Sequence, residues 1–292
     1  YFRVVSMAKH FTLAPLSVSF GAIVTGLDLR RMSDDAFEEL YDSWLEYGLL
    51  IFSGQFLDNG EQSVFARRFG ELEFDTTPIS NVTKNGSVRI ADETDKVIQI
   101  LKGNMGWHCD STYMPVQAKG AVFTAHVLPS QGGETGWADL CAGYDVLDPA
   151  RQKAIEGLSA YHSLYHSQAK AGYEVDNFGE DEGYGFFDQE PPLRPLVKIH
   201  PETGRKSLLI GRHAYGIPGM SPSASEALLQ ELLEITCQPS RVYYHRWSKG
   251  DAVVWDNRRL LHCACPWDMA EPRIMYHTRL AGNQLSEYAA PG

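Results

Sequence analysis

The stretch Asp251–Arg279, DAVVWDNRRLLHCACPWDMAEPRIMYHTR, holds three short apolar runs in close succession. Ala252–Trp255 and Leu260–Cys263 are too short for helices and are rich in aliphatic residues; the turn formers Asp256-Asn257 separate them. Both read as buried strands. Arg273–Arg279 alternates, so Arg273, Met275, His277 and Arg279 share one face of a third strand. Three strands this close predict an antiparallel β-rich core.

The same pattern extends outward. Val88–Ile90, Val97–Leu101, Ala121–Val127, Thr135–Asp139, Leu196–His200, Lys206–Ile210 and Arg241–Arg246 read as further strands. Asn85-Gly86, Gly132-Gly133, Thr203-Gly204 and Lys249-Gly250 mark turns between them. Two short strands occupy Thr12 to Arg30, and Leu49–Phe52 is another. Four helices flank this array. Asp34–Glu46 is capped by Ser33, and Glu61–Phe69 is closed by Gly70; the others lie near Pro149–Leu158 and at Ser223–Thr236. The expectation is a mostly β chain with flanking helices, arranged as a sandwich or barrel. It forms one catalytic domain over residues 7–283, with 284–292 as a tail. Tyr1–Ser6, ahead of Met7, reads as a vector-derived remnant.

Composition narrows the function. The 292 residues, 43% hydrophobic and 22% charged, describe an ordinary globule able to bury a large core. A net charge of −11 argues against partners such as nucleic acid or an anionic membrane. An anionic small-molecule substrate then needs a local basic cluster. The five cysteines are odd in number and form no CxxC, which excludes a disulfide framework and fits a cytoplasmic protein. Tyr173–Glu190 carries seven acidic residues and no basic one. It reads as a solvated surface loop, with a lid over a site as the functional alternative.

The chemistry rests on Trp107-His108-Cys109-Asp110. On a strand His108 and Asp110 point to one face and can converge on one ion. His262, in the short apolar run Leu260–Cys263, is the candidate third ligand. Two histidines and one carboxylate form a facial set that leaves positions open for Fe(II) chemistry. Three ligands and an open position also suit a zinc hydrolase, and a jelly-roll binding protein without catalysis is a further alternative.

Trp107–Thr112, Gly132-Gly133-Glu134-Thr135, Trp255-Asp256-Asn257-Arg258, His262 and Arg273 together resemble the taurine/2,4-D dioxygenase family, from about Leu16 to Gly282. Within it, Gly103–Pro115, Leu193–Met220 and Asp251–Gly282 are most similar to the phenoxyalkanoate dioxygenases. The resemblance implies a double-stranded β-helix (jelly roll, cupin-like) core and a homo-oligomer. It implies Fe(II) on His108, Asp110 and His262, with 2-oxoglutarate and O2 as co-substrates. A carboxylate at Asp110, where related halogenases have a small residue, implies oxygenation. Arg273, eleven residues after His262, is implied to clamp the far carboxylate of 2-oxoglutarate, aided by the Thr135 hydroxyl. Arginine suits that role because its planar fork matches a carboxylate.

Asn104, His213, His277 and Arg279 are the expected substrate contacts; Ser80–Val82, Lys102, Tyr113, Met114 and Arg212 are weaker candidates. Many family members have an arginine where this chain has His277. Three alternatives stay open: protonated His277 binds the substrate anion, Arg279 does, or the substrate is differently charged. The best expectation for the reaction is hydroxylation of an aryloxyalkanoate followed by ether cleavage. An alkyl sulfonate, a sulfate or another small acid is the alternative substrate.

Overall fold

The computed structural model describes residues 6–90, 92, 94–173 and 190–289. The strands are β1 Ser6–Met7, β2 Thr12–Pro15, β3 Ala22–Thr25, β4 Leu49–Phe52, β5 Leu72–Ser80, β6 Gly120–Val127, β7 Thr135–Asp139 and β8 Ser159–His162. They continue as β9 Leu193–Pro195, β10 Val197–Ile199, β11 Lys206–Leu208, β12 Ala214–Tyr215, β13 Val242–His245, β14 Ala252–Asp256, β15 Leu260–Ala264 and β16 Ile274–Leu280. The helices are α1 Asp34–Tyr47, α2 Asn59–Arg67, α3 Lys96–Gly103, α4 Leu140–Asp145, α5 Pro149–Ile155, α6 Leu164–Lys170, α7 Pro222–Thr236 and α8 Gln284–Glu287.

Eight strands form one sheet in the order β1-β2-β3-β4-β14-β6-β16-β5, and β13-β7-β15 form a smaller antiparallel sheet. Ala121, Phe123, Val253, Trp255 and Met275 from the large sheet pack with Trp137 and Leu260 from the small one. That shared apolar layer sets one sheet against the other, and it works because alternate residues of each strand point inward. The opposite face of the large sheet buries Leu50, Phe52, Val122 and Val254 under α1 and α2. The small sheet is backed by α4 and α7 through Ala138, Leu140, Leu228 and Leu232.

The helix ends follow their capping chemistry. Ser33 accepts the Ala36 N–H, and Gly48, at φ 74°, closes α1 by donating to Trp44 O. Helix α2 begins earlier than the hydrophobic pattern suggests, because Asp58 and Glu61 form a reciprocal capping box.

Two expected strands are corrected. Val97–Leu101 is helical: Asp95 accepts the N–H groups of Val97 and Ile98, and Ile98 and Leu101 then share a face packed on Trp267 and Met269. The cap and the i, i+3 spacing outweigh the β preference of the branched residues. Val88–Ile90 forms only one isolated bridge, Val82 to Val88. Strand β5 was not expected from sequence. It is an edge strand carrying Glu73, Asp75, Thr76 and Thr77, whose polar side chains hide the alternation, together with Pro78, a residue confined to such edges. Short α4, α6 and β8 were also missed. The stretch expected as a tail is packed where it is described: α8 buries Glu287, and Tyr288 bridges to Val116. Most of the acidic stretch Tyr173–Glu190 lies outside the described residues.

Candidate active site

His262 sits on β15, whose outer edge pairs with the backbone of His108. The His108 N–H donates to His262 O at 2.9 Å, and the His262 N–H donates to His108 O at 2.8 Å. That isolated bridge sets the two imidazoles side by side, 4.2 Å between ring centroids. Asp110 reaches the same point by a different route from the one expected. The chain leaves the bridge at His108 and turns at Asp110, and Ser111 takes a left-handed conformation at φ 56°. The turn is locked by Asn257, in the β14–β15 connection. Its Oδ1 accepts the Asp110 N–H at 2.8 Å, and its Nδ2 donates to Asp110 O and Ala118 O, each at 2.9 Å. One ligand atom from each of His108, Asp110 and His262 falls within 4.8 Å of the others.

The electrostatics of this cluster suit a set of metal ligands. His108 Nδ1 lies 2.7 Å from Gly106 O, so that nitrogen carries the proton and Nε2 keeps its lone pair. Burial holds His108 well below its ordinary pKa and lowers His262 as well, keeping both rings neutral and able to ligate. For Asp110, burial alone would raise the pKa. The permanent charge of Arg279 is the largest effect that outweighs it and holds the carboxyl below the usual carboxylate range. Arg279 Nη2 donates to Asp110 Oδ1 at 3.1 Å, while the buried Asp110 Oδ2 has no hydrogen-bond partner among the described residues. An ionised, buried oxygen with no hydrogen-bond donor, 3.5 Å from the His277 ring nitrogen and 3.8 Å from that of His262, is a costly arrangement without a cation, and a divalent metal resolves it.

The cluster lies in the wall of a cavity of about 460 Å³. All nine expected site residues line it: His108, Asp110, His262, Thr135, Arg273, Asn104, His213, His277 and Arg279. Arg273, directly before β16, is 2% exposed. Its backbone N–H is held by Asn81 Oδ1 at 2.8 Å, its Nη2 donates to Gly133 O at 3.1 Å, and its guanidinium lies 5.0 Å from the Trp267 ring. No acidic side chain pairs with it among the described residues, and burial lowers its pKa to about 10. Thr135 Oγ1 accepts from Trp247 Nε1 at 3.0 Å.

His277 and Arg279 share the inward face of β16, as the alternation predicts. His277 stacks on Trp255 with an interplanar angle of 1° and meets Phe74 and Phe123 edge-on, so burial in an aromatic box lowers its pKa. Arg279 is committed to Asp110, to Ser111 Oγ at 2.9 Å and to Glu73, 3.8 Å away.

Sequence reasoning gave Arg212 only a minor role and missed Gln168 entirely. Arg212 lines the cavity, its Nη2 donates to Gln168 Oε1, and it makes no ion pair among the described residues. His213 Nδ1 bonds Ser167 Oγ at 2.9 Å. Around this polar end, Val97, Ile100 and Leu101 from α3, Phe74, Pro78 and Ile79 from β5, and Leu164 make the rest of the cavity apolar. Arg194, also missed, is buried and donates to the carbonyls of Thr112, Met114 and Glu287. It braces the loop that follows Asp110. No local pattern in the sequence marks Arg194 or Gln168.

Comparison with known proteins agrees with this geometry. The family model for taurine catabolism dioxygenase TauD, TfdA family matches residues 12–279. An (S)-phenoxypropionate/alpha-ketoglutarate-dioxygenase of Sphingobium herbicidovorans is 57% identical, over 97% of this chain and 99% of its own. A protein of the same description from Delftia acidovorans is 50% identical over 97% and 99%. The crystal structure of AAD-2 in complex with Mn(II) and N-oxalylglycine superposes with a TM-score of 0.87 at 33% identity, covering 97% of this chain and 99% of that one. With the model match spanning most of its length, the chain belongs to the TauD/TfdA family and is an Fe(II)- and 2-oxoglutarate-dependent dioxygenase.

Proposed function

We propose that this dioxygenase hydroxylates an aryloxyalkanoate anion at the carbon bearing the ether oxygen. In this reading His108, Asp110 and His262 hold Fe(II), and Arg273 with Thr135 holds the far carboxylate of 2-oxoglutarate. The bound metal and co-substrate supply the oxidising chemistry, in which 2-oxoglutarate and O2 become succinate and CO2 while one oxygen atom enters a substrate C–H bond. Hydroxylation beside an ether oxygen gives a hemiketal or hemiacetal, which separates into a phenol and a carbonyl acid. We assign the two facing sheets to a double-stranded β-helix (jelly roll) core, consistent with their antiparallel, non-sequential strand order.

One observation carries the substrate reading: the distribution of partners among the buried and half-buried arginines. Arg258 pairs with Asp256, Arg259 with Asp139 and Arg279 with Asp110, and Arg194 is met by backbone carbonyls. Arg273 and Arg212 line the cavity without a carboxylate among the described residues. Burying a guanidinium without a counter-charge is unfavourable, so Arg273, fully buried, and Arg212, half-buried in the cavity wall, are each fitted to a ligand anion. Two cations then serve two anions, the co-substrate's distal carboxylate and the substrate's own. Arg279, engaged with Asp110, and His277, lowered by its aromatic box, do not fill the second role. The apolar wall from α3 and β5 suits an aryl group extending away from Arg212, and the substrate named for the relatives, (S)-phenoxypropionate, has that shape.

The test uses Fe(II)-loaded protein with 2-oxoglutarate, O2 and a panel of aryloxyalkanoates and alkyl sulfates, following succinate and phenol. Aryloxy acids are expected to give phenol in step with succinate. Succinate release at the no-substrate rate, with no phenol, refutes the reading, and turnover of the sulfates alone moves it to that class.

A further inference from the structure

We propose that Gln168 sets the charge of the substrate, by holding Arg212 with a neutral amide, and that Gly103 and Gly106 form the slot in which the guanidinium lies. This rests on the reading of the cavity just given and names the residues that make its anion end selective.

Gln168 is on α6 and 2% exposed. Its Oε1 accepts a hydrogen bond from Arg212 Nη2. The backbone of Arg212 is fixed independently, its N–H donating to Trp107 O at 2.8 Å. The side chain runs from that point across the end of α3. A Cβ built on Gly103 would collide first with Gln168 Oε1 and lie 2.7 Å from Arg212 Nη1 and 3.0 Å from Nη2, and one on Gly106 would lie 3.2 Å from Arg212 Cδ, so a side chain at either position would disturb the Gln168–Arg212 pair. Neither glycine has a positive φ, so their missing side chains serve space rather than backbone conformation. Two glycines and one glutamine thus decide where this cation sits.

The identity of the partner then matters more than its shape. At Arg258, Arg259 and Arg279 a carboxylate neutralises the charge. At Arg212 the partner is an amide, which has almost the outline of glutamate and accepts the same hydrogen bond but carries no charge. Among the described residues the guanidinium is oriented yet meets no carboxylate, and partial burial lowers its pKa to about 10. An aryloxyalkanoate carboxylate can therefore take the remaining N–H donors with no competing carboxylate among the described residues. A glutamate at position 168 would occupy them and repel the incoming anion.

The experiment measures affinity by calorimetry on protein loaded with Mn(II) and N-oxalylglycine, using 2-phenoxypropionate and its neutral primary amide. Wild-type protein is expected to favour the acid. If it does not, the reading of the cavity as an aryloxyalkanoate site fails, and this proposal falls with it. Given that preference, Gln168→Glu is expected to weaken the acid about 100-fold and the amide less than about 3-fold, since only the acid meets the added charge. N-oxalylglycine affinity is expected to stay at the wild-type value. A Gln168→Glu protein that keeps wild-type affinity for the acid, or loses acid and amide equally, overturns the role of Gln168. Should that variant not fold, Gly103→Ala carries the test. Displacing the guanidinium predicts the same acid-selective loss, and an equal loss for both ligands overturns the proposal.

Discussion

Replacing Arg273 tests the co-substrate site with two measurements that move in opposite directions. The guanidinium is 2% exposed and has no acidic partner among the described residues, so in the free protein its charge is largely unrepaid. A methionine of similar length would relieve that penalty while giving up one bond to Gly133 O. We expect Arg273→Met to leave the melting temperature unchanged or raise it by a few degrees, about the size of 1 kcal/mol in a chain of this length. The co-substrate loses much more. Two charge-assisted hydrogen bonds to a carboxylate, at about 1.5–3 kcal/mol each and not fully additive, total roughly 3–4 kcal/mol. That corresponds to a rise of about 100- to 1,000-fold in the KM for 2-oxoglutarate. Arg273→Lys keeps the charge but loses the fork, with an expected rise of about 10-fold. The assay is initial-rate succinate formation against 2-oxoglutarate concentration, beside a thermal melt of the metal-free protein. A KM within about 3-fold of wild type, or a loss of several kcal/mol of stability at unchanged KM, would show Arg273 to be structural and refute the reasoning.

Two further outcomes follow from the same structure. Asn257→Ala unpairs the N–H and C=O of Asp110 and the C=O of Ala118, so metal affinity, read by Mn(II) titration, is expected to fall about 10- to 100-fold; an unchanged affinity would mean the Asp110 turn holds itself. Asp256 is buried against Arg258 and His200, and although burial acts to raise its pKa, Arg258 foremost and then His200 hold it below the usual carboxylate range. A depressed folded-state pKa means its contribution is complete above the unfolded value of about 3.9 and fades as pH falls through the folded one. Asp256→Asn should therefore cost about 3–5 kcal/mol at pH 7, in chemical denaturation, with the gap to wild type narrowing only below about pH 4; a gap independent of pH would remove the charge from the explanation.

Elements announced by local pattern were legible from sequence. Strands β4, β14 and β15 are compact apolar runs bounded by turn residues, and the sequence located them to within a residue. Helices α1 and α7 have a serine cap and an amphipathic stripe. Where two local signals compete, tertiary packing decides between them. In α3 the branched residues suggested a strand, while Asp95 and the i, i+3 packing of Ile98 and Leu101 made a helix. In β5 polar edge residues erased the alternation, although that strand supplies Phe74, Pro78 and Ile79 to the cavity.

The candidate site divides in the same way. His108, Asp110, His262, Thr135 and Arg273 could be picked out from residue type, spacing and family resemblance, since each must be one particular chemical group. Their convergence depends on the bridge between His108 and His262 and on the Asn257 clamp, contacts between segments about 150 residues apart. Sequence could not rank His277, Arg279 and Arg212 as anion contacts, because a cation's availability depends on its neighbours in space. Asp110 and Glu73 occupy Arg279, aromatic rings and the Asp110 carboxylate surround His277, and among the described residues Arg212 is hydrogen-bonded by the Gln168 amide and meets no carboxylate. Residue identity along the chain determined which chemistry was available. Pairing and burial in three dimensions decided which charges remain free to meet a ligand, because the interaction of charges falls with distance and rises as water is excluded.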